Sequence, residues 1–316
     1  MDTQRLILLF IFGFSLLMLW EAWEKENRPK PPPAAQQGVP APEKPAAPSA
    51  AKPAPAAPSP GIPVAENASR GETVRITTDF MVADIDTLGA TLKRVELTRH
   101  RDSNDPAKHY TLLGERHRYE AQSGVTGEAG PNHRMLWTAE PGGRTLEPGQ
   151  DAVELRLTAA GKDGLQVQKV YTFRRSSYVV DVALVIRNAG AAPVATYAYF
   201  QLTHDGKPDS NSNTVAETFG AQSFSGFAAY TDERKFEKIH LADIDKGKSD
   251  HVKRTSNGWL AFVQHYFVSA WLPPQGLERD YVAEKRQDGT YAARVLVAAS
   301  VAPGTESRIV VPIYTG

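Results

Sequence analysis

The sequence predicts an all-β sandwich carried behind a single N-terminal membrane helix. Three observations lead there. Leu6 to Trp20 is an uncharged apolar run. A Pro/Ala-rich stretch follows it. From about Arg70 onward apolar and polar residues alternate with the period of two that a half-buried strand requires.

The first element is the anchor, residues 1–27. A helix from Arg5 to Trp23 is roughly 28 Å long at 1.5 Å per residue, close to the hydrocarbon thickness of about 30 Å. Leu6, Phe10, Phe14 and Leu17 supply its apolar surface, and Trp20 and Trp23 sit where interfacial aromatics belong. The residues after the run, Leu19-Trp20-Glu21-Ala22-Trp23-Glu24, contain no small-residue cleavage signal, so the helix reads as an uncleaved anchor. Arg5 and the α-amino group precede the span, while Glu21, Glu24 and Glu26 follow it. That bias places the N-terminus inside and the remainder outside the cytoplasm.

The second element, residues 28–66, is a predicted disordered tether. It holds more than half of the 23 prolines, no aromatic residue, and only Val39, Ile62 and Val64 as large aliphatics, too little to build a core. Fully extended as polyproline it would reach about 120 Å.

The third element, residues 67–316, is the β domain. Val153 to Leu157 alternates cleanly, and Leu165 to Phe173 does so less strictly. Arg174 to Ser177 turn the chain into Tyr178 to Arg187, which makes a long hairpin. Val194–Leu202 reads as the next strand. Further strands are predicted at Thr73–Asp79, Met81–Asp86, Thr91–Leu97, Trp259–Val263, Tyr266–Leu272, Tyr291–Ala298 and Arg308–Tyr314, with Gly and Pro between them. About 250 residues exceed a seven-stranded immunoglobulin domain, and no second linker divides them, so one large sandwich is expected.

Composition excludes several functions. Lys+Arg and Asp+Glu both number 36, so no basic surplus marks a nucleic-acid binder. With no cysteine there is neither a disulfide nor thiol chemistry. His100, His109 and His117 stand eight or nine apart in a polar region, lack a metal-ligand spacing, and read as loop residues. Gly124 to Gly130 is glycine-rich, but Pro131-Asn132 follows where a phosphate cradle needs Lys-Ser/Thr and a helix, so it reads as a flexible loop. His204-Asp205 falls at a strand end, yet neighbours on a strand face opposite ways, which argues against a direct pair. The sequence therefore nominates no catalytic residue, no metal ligand and no cofactor site. Phe227, Tyr230 and Phe236 lie in or beside the charged stretch Asp232 to Lys238 and form the candidate partner surface.

Several runs together resemble the YidC family, the membrane protein insertases of Gram-negative bacteria. They are Met1-Asp2-Thr3-Gln4-Arg5 with the apolar run and its exit Trp20 to Glu24, Tyr119 to Gly127 with Gly130-Pro131, Phe219-Gly220-Ala221 followed by Asp232 to Lys238, Ser256 to Pro273, and the ending Val311 to Gly316. The resemblance implies a periplasmic β-supersandwich, similar in fold to galactose mutarotases. It implies a place in the bacterial inner membrane, with the N-terminus cytoplasmic and the main domain periplasmic. It implies a part in inserting and folding inner-membrane proteins, alone or with the Sec translocon. The implied partners are the lipid bilayer, nascent inner-membrane proteins, and the Sec translocon with its accessory subunits. The family's insertase core, a later helical bundle with an arginine-bearing groove, matches nothing in these 316 residues, so the chain reads as the front of a longer insertase. Two other readings keep the architecture and drop the family: a carbohydrate- or peptide-binding sandwich, for which His204 or His265 with a distant Glu would have to serve, and a plain envelope adaptor.

Overall fold

The computed structural model describes residues 71–128, 130–208 and 224–316. In chain order the elements are β1 (Thr73–Thr77), β2 (Met81–Asp86), β3 (Thr91–Arg101), β4 (His109–Leu113), a 3-10 turn (Glu115–His117), β5 (Glu120–Val125), β6 (Thr138–Ala139), β7 (Ala152–Ala160), β8 (Leu165–Arg174), β9 (Val179–Asn188) and β10 (Val194–His204). After residue 223 come β11 (Gly226–Thr231), β12 (Lys235–Ile239), a short helix α1 (Leu241–Asp245), β13 (Arg254–Thr255), β14 (Trp259–Val263), β15 (Val268–Trp271), β16 (Arg279–Lys285), β17 (Tyr291–Val301), β18 (Glu306–Val310) and β19 (Ile313–Thr315).

Two antiparallel sheets result. The nine-stranded sheet runs β1-β2-β3-β5-β10-β17-β16-β13, with β4 on β3; the ten-stranded sheet runs β12-β11-β14-β15-β19-β9-β8-β7-β6, with β18 on β9. The all-β sandwich expected from the sequence is what the chain forms. β7 shows why: Val153, Leu155 and Leu157 are buried while Glu154 and Arg156 are exposed, so its alternation seats one face on the other sheet. β17 differs. Tyr291 to Val297 is buried without interruption, because both faces of the central nine-stranded sheet are covered. β10 and β17 pair along all eleven residues, from Val194↔Val301 to His204↔Tyr291.

β8 carries a charged residue into this core. Leu165, Val167, Lys169, Tyr171 and Phe173 all point inward, and Lys169 is fully buried. Its Nζ donates to the carbonyls of Gly89 (2.8 Å), Ala90 (3.0 Å) and Ser123 (2.8 Å) and lies 4.7 Å from the Trp137 ring. Three acceptors suit the three protons of an ammonium. The Gly89–Ala90 turn presents two of them only because both residues have positive φ, +78° and +45°. A Cβ on Gly89 would stand 2.3 Å from the His133 carbonyl oxygen. This cage ties β8 of one sheet to the β2–β3 turn and β5 of the other.

Some expectations need correction. β5 occupies Glu120–Val125, so the first part of the glycine-rich stretch is a buried strand; Gly124 is needed because a Cβ there would meet Tyr199 Oη at 2.8 Å and Asn132 Cα at 2.9 Å. His100 and His109 are strand residues of β3 and β4, half-buried. The last expected strand divides in two, since Pro312 has no N–H to continue a ladder. Residues 1–70, which include the anchor residues and the tether, lie outside the described residues. Among the described residues no helix is long and apolar enough to cross a membrane.

Candidate functional site

The candidate partner surface is only partly assembled as expected. Phe227 is wholly buried and meets Phe262 edge-on at 5.0 Å. It belongs to the core, because it lies three residues before Tyr230 on the same strand and so faces the other way. Tyr230 pairs across to Phe236 on β12 and to Trp259 on β14. The Tyr230 and Trp259 rings stack at 5.8 Å, and Phe236 lies 6.1 Å from Trp259. The result is an aromatic row, Phe236–Tyr230–Trp259, at the free edge of the ten-stranded sheet. Phe236 is 47 % exposed. Arg234, paired with Glu237 at 2.8 Å and Asp250 at 3.3 Å, sits beside it. Trp259, foreseen only as the first residue of a strand, joins the row through its register with Tyr230.

A second cluster lies where β10 ends; one of its members, His117, lines a cleft together with Lys93, Tyr110, Tyr119, His240 and Phe267. His117 Nδ1 stands 3.2 Å from Asp205 Oδ1, and His204 Nδ1 stands 3.6 Å from the same oxygen. The objection that His204 and Asp205 face apart fails because β10 stops at His204, and the turn that follows swings the Asp205 carboxylate back. The N–H of Asp205 donates to the His117 carbonyl at 2.8 Å, which fixes the two segments together. Burial pushes the Asp205 carboxyl up, but the Lys207 N–H and the His117 ring outweigh it and hold the group below the usual carboxylate range. His204 is sandwiched, with Phe262 stacked at 4.2 Å and His117 at 5.1 Å, and the edge of Tyr119 beside it. His117 is 88 residues from Asp205, a separation no spacing motif could reveal.

A third polar group lies on the outer face of the nine-stranded sheet. Gln122, Gln201 and Arg294 form one row across β5, β10 and β17. Arg286 reaches over to donate to His133 Nε2 at 3.0 Å and to Gln122 Oε1 at 3.4 Å. Since a guanidinium only donates, the His133 proton sits on Nδ1 and is given to Tyr199 Oη at 2.7 Å. Burial first, then the nearby Arg286 and Arg134, hold this imidazole well below the usual histidine range, so it is neutral. Tyr199, at the end of this chain, is itself buried.

These features define a class: large two-sheet antiparallel β-sandwich domains. Residues 73–316 match the family model of the YidC periplasmic domain, and the chain belongs to that family. The curated relatives agree. The membrane protein insertase YidC of Aromatoleum aromaticum is 41 % identical over 325 residues, spanning 100 % of this chain and 58 % of the relative. That of Nitrosomonas europaea is 40 % identical over 345 residues, 100 % of this chain and 55 % of the relative. The chain thus spans a little over half the length of the relatives it matches. Among solved structures, a galactose mutarotase related enzyme from Lactobacillus acidophilus is similar with a TM-score of 0.49 at 8 % identity, over 78 % of this chain and 97 % of the other. A galactose mutarotase-like protein from Lactobacillus casei gives 0.47, also at 8 %, over 78 % and 100 %. No functional statement rests on those two likenesses.

Proposed function

We propose that the chain is the anchored, periplasmic front of a membrane protein insertase. On this reading residues 1–27 hold it in the inner membrane with the N-terminus in the cytoplasm, residues 28–66 form the tether, and the sandwich makes contacts and no bonds. The observation that supports this most is the family match over 73–316, together with about two-fifths identity to proteins named membrane protein insertase. Nascent inner-membrane proteins and the Sec translocon with its accessory subunits are the partners. The aromatic row Phe236–Tyr230–Trp259 is the contact surface, since an exposed aromatic cluster rimmed by charge is what a transient interface uses.

Two experiments test this. The chain has no cysteine, so Ser49→Cys puts a single thiol in the tether. In intact cells with a permeabilised outer membrane, a membrane-impermeant maleimide should label it; labelling only after inner-membrane lysis would overturn the orientation. A photo-crosslinking residue at position 236 of the full chain, expressed in cells, should give adducts with Sec components or newly made membrane proteins. Adducts with neither would remove the row from the proposal.

A further inference from the structure

The cluster at the end of β10 has the donor set of a metal site, with two of its three donor separations near those a metal needs. A tetrahedral zinc with bonds of about 2.0–2.1 Å places its ligands roughly 3.3–3.4 Å apart. The Asp205 oxygen stands 3.2 Å from His117 Nδ1 and 3.6 Å from His204 Nδ1. One donor atom from each of the three residues lies within 4.8 Å of the others. We propose that His117, His204 and Asp205 form a site for a divalent transition-metal ion of the zinc class.

The donor set selects the ion. Two imidazoles and one carboxylate suit zinc, cobalt(II) or nickel(II), whereas calcium and magnesium take oxygen ligands. The scaffold is firm. Thr203 Oγ1 donates to the Arg118 carbonyl at 3.1 Å, the Asp205 N–H donates to the His117 carbonyl, and His204 is pinned between Phe262 and Tyr119. Three protein donors is the ligand count of an exchangeable zinc site, whose fourth ligand is water or a carboxylate of a bound partner; one of the three, His117, lines the cleft.

Loading requires the rings to adjust and to exchange the contacts they make now. The His117 and His204 rings lie 13° from parallel, so their lone pairs do not converge as they stand. His117, at the cleft wall, turns about its Cβ–Cγ bond to bring Nδ1 toward the ion. His204 Nδ1 accepts the Gly206 N–H at 2.9 Å, and that bond is exchanged for the metal bond. The Lys207 ammonium, 3.9 Å from Asp205 Oδ2, is the competing cation; its side chain is 79 % exposed and can swing into solvent. Imidazoles must be deprotonated to ligate, so binding weakens in acid.

The full chain in detergent micelles, untagged and stripped with chelator, is titrated with Zn²⁺ by calorimetry and with Co²⁺ by visible absorption. The expected result is one Zn²⁺ per chain and intense tetrahedral cobalt bands that Zn²⁺ quenches. His117→Ala and Asp205→Asn are each expected to weaken binding by about tenfold or more. His265→Ala, an exposed histidine across the cleft, is expected to leave binding unchanged. Absence of saturable one-to-one Zn²⁺ binding overturns the site, and so does binding that survives both His117→Ala and Asp205→Asn. Circular dichroism of each variant separates loss of ligand from loss of fold.

Discussion

Lys169→Met removes a fully buried lysine and keeps a side chain of similar length. Two effects compete. Replacing a buried ion by an apolar side chain is often neutral, or stabilising by about 1–4 kcal/mol, because the desolvation cost disappears. Against that, the carbonyls of Gly89, Ala90 and Ser123 each lose a charged donor. Ala90 retains Tyr171 Oη at 2.7 Å, so its loss is partial. A buried acceptor left without its partner costs about 1–3 kcal/mol. Because three buried carbonyls lose their shared donor together, their loss outweighs what the apolar replacement gains. The expected net destabilisation is about 3 kcal/mol, which lowers the melting temperature by roughly 6–12 °C for a domain of this size. Urea unfolding followed by circular dichroism measures it, with an unchanged m-value as the check on two-state behaviour. The pH dependence gives a second reading. Burial drives the Lys169 pKa well below the ordinary 10.5. Between the folded value and 10.5 the unfolded chain binds more protons than the native one, so this residue makes stability rise with pH there. Lys169→Met removes that slope. A variant as stable as the wild type, or more so, refutes the argument that the carbonyl cage wins.

Three shorter predictions accompany it. Gly89→Ala forces a Cβ against the His133 carbonyl in a left-handed turn, and is expected to cost at least about 2 kcal/mol in urea unfolding. Arg75 grips Asp84 with two hydrogen bonds, 2.7 and 2.9 Å, which holds the Asp84 carboxyl below its usual range. That contribution is present above about pH 4 and is lost as pH falls through the depressed folded value. Asp84→Asn should therefore flatten the fall in urea midpoint between pH 5 and pH 3 (a slope of the same sign as the lysine's, in a more acid window). Phe236→Ala touches an exposed side chain and should change stability by no more than about 0.5 kcal/mol, while abolishing photo-crosslinking to membrane components from a probe placed at Tyr230.

Where local pattern and burial coincide, the sequence is readable. Met81–Asp86 and Trp259–Val263 fall where alternation places them, and the hairpin of β8 and β9 is the longest periodic stretch in the chain. β5, β12 and β16 escape such reading. β5 mixes Gln122, Ser123 and Gly124 because it is covered on both faces, and β12 carries Lys235, Glu237 and Lys238 because it is an edge. Lys169 occupies an inward position that alternation assigns correctly and chemistry contradicts; only the distant carbonyls explain it. The surface sites were least legible. Phe227 and Tyr230 are close in sequence and opposite in space, and His117 meets Asp205 only because β5 pairs with β10.

β19 has a consequence for how the domain comes into being. This strand, Ile313–Thr315, stands between β15 and β9, so it is the seam that joins two otherwise separate halves of the ten-stranded sheet. β17, equally late in the chain, joins β10 to β16 in the other sheet. A polypeptide that leaves the ribosome or a membrane pore from its N-terminus can form hairpins as it emerges, but it closes neither sheet until β17 and β19, residues 291–315, arrive. Pairings this far apart in sequence carry a large loop-closure cost and fold slowly. During that interval β9 and β10 present open edges to the surroundings, the state in which a chain is most exposed to aggregation and proteolysis.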